Sequence, residues 1–323
     1  MFEYMEMGWP SKFELHYYLA DASHSMNALV RNKCEAEFLA VATEVANVLG
    51  IYLELDCEAL KEGGVREIWS ALGVNSAQIA LLISTLTLIW SVIPHDDQEL
   101  IDLQKEDLRL SIEQRKKALR DISEDLENGQ VRAETIESAA NIASRNYKVV
   151  TRKSNFYKTI SLYEKIISVG FGNLDCSGKS VSDEKIVNRS DFSRFILTSH
   201  DLEPLVDSSA YVEIVAPVLV EGKAKWKGTY DGQLISFHMN DRDFKAAVTS
   251  KRMSFKNGDG IVCVLHVHKK LDELGEVVTA GYSVEVVLEN VHSGIVRETN
   301  QGRVFRHTKK LQDGQGDMFE TNG

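Results

Sequence analysis

The sequence predicts an α+β fold built from several modules: an N-terminal small α/β module, one membrane-capable helix, a charged helical hairpin and a C-terminal β-rich barrel. Three observations predict it. A strand–helix–strand pattern fills residues 1–72, a run of 27 residues without a charge follows from Ile68 to Pro94, and beyond residue 186 the apolar period falls to two. At 323 residues the chain is long enough for two or three domains. With 43 % apolar residues it can bury real cores, which excludes general disorder.

The first module starts with a strand over Phe13 to Leu19, followed by a polar turn over Asp21 to Asn27. Cys34, Phe38, Val41, Val45, Val48 and Leu49 then recur at three- and four-residue steps, which predicts a helix from Ala28 to Leu49 with Gly50 at its stop. Ile51 to Cys57 reads as a second strand, and the module closes near Leu72.

Residues 73–95 form the membrane-capable segment. Its centre, Ile79 to Ile93, is IALLISTLTLIWSVI, apolar on every side, with Trp90 near one end where interface aromatics concentrate. About 20 apolar residues span a bilayer core. The segment reaches that length only with Asn75, Ser76, Gln78, Ser84, Thr85 and Thr87 included, which suits a pore-lining helix contributing Ile79, Leu82, Leu86, Ile89 and Trp90. A buried helix of a water-facing module is the competing reading.

Residues 96–175 read as a helical oligomerisation region. A charged helix from His95 to about Glu127 carries a narrow seam, Ile101, Leu108, Ile112, Leu119, Ile122 and Leu126, interrupted by Lys105 and Arg115. A second helix, Ala133 to Val169, follows the Asn128-Gly129 break. Leu108, Ile112, Leu119 and Leu126 are the expected contacts of a homo-oligomer, with an intramolecular hairpin as the alternative.

Residues 186–310 form the β-rich ligand-binding module. Strands are expected at Tyr211–Val220, Lys223–Tyr230, Gln233–Met239, Ile261–Lys269 and Tyr282–Val291, separated by turn signals such as Asp231-Gly232 and Asn257-Gly258. A short helix over Asp241 to Ser250, capped by Asn240 or Asp241, lies between the third and fourth strands. That order fits an OB barrel, whose second and third strands bind oligonucleotides, and it also fits other small barrels. The Gly/Gln/Asp-rich residues 311–323 read as a disordered tail.

Charge bears on the choice of ligand. The formal net charge is −11, which argues against a protein that coats nucleic acid with its whole surface. Residues 1–185 hold 20 basic and 29 acidic side chains, whereas residues 186–310 hold 17 and 16. A polyanion site therefore belongs to the second half. On a strand, Lys223, Lys225 and Lys227 would share one face with Trp226 packed inside, and Tyr230, Lys251 and Arg252 extend the same surface. Cations beside aromatics hold single-stranded nucleic acid without reading its sequence. Lysines that discourage sheet-edge aggregation are the bland alternative.

Other motifs carry less. Five residues separate Gly172 from Gly178 where a phosphate loop has four, so Gly172 to Ser180 reads as an interdomain linker. His266 and His268 share a strand face without a third ligand in reach. His16, His24, Ser23, Ser25 and Asp21 lack a nucleophile elbow, so helix capping explains them better than hydrolysis. Four cysteines far apart, with no CxxC pair, suggest a reducing compartment, and no signal peptide is expected. No catalytic residue, metal site or cofactor is expected, and the chain reads as a non-enzyme.

The order FELHYYL…SHSMNALVRNKCEAEF, then IALLISTLTLIWSVIP, a charged helix, and the module containing YVEIVAPVLV and KAKWKGTYDG resembles the transmembrane effectors of bacterial two-gene anti-phage defence systems of the Hailong type. The resemblance implies an antiviral ion channel in the cell inner membrane. It also implies a partner nucleotidyltransferase acting through its product, single-stranded deoxyadenylate, which holds the channel shut. A soluble adaptor or nucleic-acid-binding protein with a buried helix at 79–93 is the alternative.

Overall fold

The computed structural model describes residues 8–21, 23–58, 65–73, 75–93, 112–220, 222–250 and 252–320. They divide into two compact units, Met1–His200 with Leu271–Glu276, and Asp201–Lys270 with Val277–Gly323.

The first unit contains β1 (Lys12–Leu19), α1 (Ala28–Leu49), β2 (Glu54–Cys57), β3 (Val65–Leu72), α2 (Ser76–Ser91), α3 (Ile112–Glu127), α4 (Ala133–Ser144), α5 (Tyr147–Ser161), β4 (Ile166–Leu174) and β5 (Lys185–Asn188). A 3₁₀ turn, Arg189–Phe195, follows. The sheet order is β2-β3-β1-β4-β5, antiparallel at every pairing. Helix α1 keeps its expected limits because both ends are capped. The Asn27 side chain accepts from the Leu29 and Val30 amides, and Gly50 takes a left-handed φ of 67°.

Helix α2 lies in the core of this unit. Ile79, Leu82, Leu86, Ile89 and Trp90 are each at most 2 % exposed. Each buried Ile or Leu contributes about 1.5–3 kcal/mol of burial free energy. Trp90 stacks on Phe38 and Phe171 at centroid distances of 5.6 and 5.9 Å and meets Phe156 edge-on at 4.8 Å. Its C-terminal carbonyls are satisfied from within the protein: Lys153 Nζ donates to the Ile89 and Ile93 oxygens, and Tyr157 donates to that of Trp90. Lys153 is fully buried, with its ammonium 4.5 Å from the Phe195 ring centre.

The membrane-capable helix is therefore corrected. The charge-free run spans the second half of β3, beyond Arg66 and Glu67, and then α2, two buried elements of this core. The 16 residues of α2 rise about 24 Å, short of a bilayer core of about 30 Å. Among the described residues no helix is long and apolar enough to cross a membrane.

The charged hairpin is also corrected. Asn146 ends the expected second helix at Arg145 by capping a new one, its side chain accepting from the Lys148 amide. The chain then becomes β4, which pairs with β1 along its length. The α/β module thus does not close at residue 72, because β4 and β5 complete its sheet. Gly172 to Ser180 is not an interdomain linker either. It ends β4 and turns within the first unit, where Asp175 Oδ1 accepts from the Ser177 amide and hydroxyl and the Lys179 amide.

The second unit contains β6 (Leu205–Ala216), β7 (Trp226–Tyr230), β8 (Gln233–Met239), α6 (Arg242–Thr249), β9 (Gly260–Leu271), β10 (Val277–His292), β11 (Ile295–Glu298) and α7 (Asn300–Glu320). The sheet runs β11-β10-β8-β7-β6-β9, and a further β9–β10 pairing closes five of these strands into a barrel. Strands β8 and β10 pair in parallel, whereas β6–β7, β7–β8 and β6–β9 are antiparallel. Inward residues Trp226, Phe237, Ile261, Cys263, Leu265 and Val284 fill it, and Phe244 and Val248 of α6 join the same core. Asp241 caps α6 by accepting from the Phe244 amide, as its position before an apolar run suggests. The expected disordered tail is corrected as well, since residues 311–320 continue α7.

Candidate nucleic-acid interface

The barrel presents its second and third strands, β7 and β8, as a regular alternating surface. Trp226, Gly228, Ile235, Phe237 and Met239 are buried, while Lys227, Leu234 and Ser236 are exposed, with Thr229 and His238 half-buried between them. The register sets Lys227 opposite Ser236 and Thr229 opposite Leu234. Trp226 packs inside, 0 % exposed and 5.9 Å from Phe255, as the alternation predicts.

Of the expected lysine stripe, only Lys227 lies on the strand. Strand β7 begins at Trp226, so Lys223 and Lys225 belong to the connection between β6 and β7. All three are exposed, and none has an ion-pair partner among the described residues. They remain neighbours at one end of β7, although not as a single strand face.

Tyr230 closes β7 at its other end. It donates to Asp207 Oδ2 at 2.9 Å and meets Tyr282 edge-on at 6.4 Å. The Asp207 hydrogen bond, with burial second, pushes the Tyr230 hydroxyl up to about 12. It is therefore a fixed, neutral ring.

Arg252 follows α6 in sequence, and Lys251 lies outside the described residues. Arg252 lines a cleft of about 730 Å³ walled by α6, the end of β10, β11 and the start of α7. Two buried carboxylates assemble those walls. Asp241 accepts from the Phe244 and Val287 amides and from Gln301 Nε2, joining α6, β10 and α7. Asp259, 1 % exposed, accepts from the Lys256 and Ser293 amides and from His292 Nδ1 at 2.6 Å. Those backbone donors, with His292 in support, hold its carboxyl below the usual carboxylate range.

The cleft also contains Asn290, His292, Arg297, Asn300 and Gln301, none of which the sequence reading singled out. Its local signal was the Ser293-Gly294 turn, where both residues take positive φ, 49° and 78°, as a two-residue hairpin requires. Nothing local reveals that this hairpin faces α6.

The remaining expected residues fall elsewhere. His268 Nε2 lies 2.8 Å from Ser283 Oγ, His266 Nδ1 lies 3.9 Å from Glu285, and no group of three ligands suited to a metal exists among the described residues. Leu119 packs at the margin of the first unit's core and Leu126 is 6 % exposed within it, so both are committed to their own chain. Leu108 and the Ile112 side chain lie outside the described residues. Compared with protein-family models, curated proteins and solved structures, the chain matches none.

Proposed function

We propose that this chain binds single-stranded oligonucleotides through its barrel, and that it acts by binding rather than by catalysis. The observation that carries the proposal is topological. Counting β6 to β10 as strands one to five, the closed order is 1-2-3-5-4-1, with α6 between strands three and four and a parallel pairing of three with five. This order supports reading the barrel as OB-like, a fold that binds oligonucleotides on strands two and three and on the connection between strands one and two. Lys227 belongs to the first of these regions and Lys223 and Lys225 to the second. Three unpaired ammonium groups beside exposed Leu234 and half-buried Thr229 suit a phosphate backbone with bases turned toward the sheet.

The resemblance to Hailong-type effectors suggests deoxyadenylate as the ligand. A channel role would require α2 to leave the core it fills, and no observation favours that step, so binding is the part proposed.

Fluorescence anisotropy of the full chain with labelled oligodeoxyadenylate across a salt series tests the reading. Binding should weaken as salt rises, by a log–log slope of about 0.7 per neutralised phosphate. Replacing Lys223, Lys225 and Lys227 together by Ala should weaken it and flatten the slope by roughly two units. Wild-type protein that ignores short DNA and RNA at low salt, or a triple variant that binds like wild type, overturns the proposal.

A further inference from the structure

The cleft beside α6 has the makings of a second ligand site, distinct from the strand face. Its volume of about 730 Å³ falls in the range of small-molecule sites, roughly 300–1,000 Å³. The lining is mixed in the way such sites are. Ala247 and Met253 supply apolar surface from the α6 side, and Arg252 and Arg297 supply charge. The Arg297 guanidinium has no hydrogen-bond or ion-pair partner among the described residues, and that of Arg252 makes only an Nε bond to Ser250 Oγ at 2.9 Å. Two guanidiniums with most of their donors unused, lining one concavity, match the oxygens of a phosphate.

The two acids in the lining do not cancel them. Glu298 is engaged by Arg303 and Arg306, at 3.4 and 3.0 Å, which leaves Asp243 alone against the pair. His292 is oriented by Asp259 through Nδ1, so Nε2 is its ring nitrogen without a partner among the described residues. Asn290 carries a buried side-chain oxygen with no hydrogen-bond partner. A cleft joining unpaired guanidiniums, apolar surface and amide groups suits a phosphate attached to a flat ring better than a bare anion.

We propose that this cleft binds a nucleoside monophosphate, with the phosphate on Arg252 and Arg297 and the base against the α6 side. The site does not rest on the strand-face reading. Isothermal titration of the full chain with deoxyadenosine monophosphate, deoxyadenosine and inorganic phosphate tests it. The monophosphate should bind saturably, and the other two more weakly by about tenfold or more. The double variant Arg252→Ala/Arg297→Ala should lose binding to a similar extent while keeping the wild-type circular dichroism, and Arg252→Lys/Arg297→Lys should recover part of it. The Lys223/Lys225/Lys227→Ala variant should bind the monophosphate as wild type does, which separates this site from the strand face.

Three results would overturn the proposal: no saturable binding of the monophosphate at millimolar concentration, equal binding by the double alanine variant, or inorganic phosphate binding as tightly as the nucleotide. Loss of oligonucleotide binding in the lysine variant with monophosphate binding retained would support both sites. Wild type that binds the monophosphate but no oligonucleotide would leave the cleft standing and remove the strand face.

Discussion

Glu67 shows what burial does to a single residue. It sits on β3, 1 % exposed, between β1 and α1, with Arg31 Nε donating to its Oε1. Burial is the larger influence and raises its carboxyl to about 7, against the lowering pull of Arg31. Burial likewise pushes the neighbouring Cys34 thiol up to about 12, so the pocket favours neutral groups. The consequence for stability has a definite sign. Below an unfolded value of 4.5 the carboxyl is protonated in both states. Between there and about 7 the unfolded chain ionises while the folded chain does not, so stability falls as pH rises, and above that window the loss is complete. Glu67→Gln should flatten this decline and raise Tm at pH 8 by a few degrees. Thermal melts from pH 4 to 8 check it, and an unchanged slope in the variant would show that Glu67 does not titrate in that window.

Helix α2 contains no charged residue. A helix apolar all round suits either a membrane or the centre of a protein. The partners decide between them: four aromatic rings around Trp90, and side-chain donors from Lys153 and Tyr157 on the helix's final carbonyls. Leu86→Arg distinguishes the two. In a membrane anchor the change would release the chain and leave its modules folded, at a cost of about 2.5–3.5 kcal/mol on insertion. In a core, an unpaired cation at a site 2 % exposed should unfold the first unit outright. Limited proteolysis and near-ultraviolet circular dichroism read the difference, and a variant as protease-resistant as wild type would refute the core placement. The seam at Leu119 and Leu126 follows the same logic, because a stripe that fits a partner helix fits the chain's own core equally well.

At the scale of the molecule, the two units have separate hydrophobic cores, one around Trp69 and Trp90 and the other around Trp226. Separate cores predict separate unfolding. Calorimetry should show two transitions. Trp90→Ala should lower one and Trp226→Ala the other, each by an amount equivalent to about 3–5 kcal/mol. A single transition that both variants shift alike would show that the units melt as one. The charge imbalance has the same division, with the acidic side chains concentrated in residues 1–185 and the barrel near neutrality, so oligonucleotide binding is expected of the barrel alone.

Local chemistry determined much of what could be read from the sequence. Helix α1 lies at its expected limits because Asn27 and Gly50 are caps, and β8 because alternating Leu234, Ile235, Ser236 and Phe237 separate an outer from an inner face. Five strands with a helix after the third were legible because their turn residues are local signals, and so was the inward Trp226. Tertiary structure decided what depends on partners distant in sequence. It made β4 a strand through pairing with β1, far earlier in the sequence, and it made α2 a core helix through Lys153 and the aromatic cluster. It also brought Arg252 together with Arg297, 45 positions later in the sequence, in one cleft. The physical reason is range: caps, turns and periodicity act within a few residues, whereas burial is set by whatever surfaces the folded chain brings together.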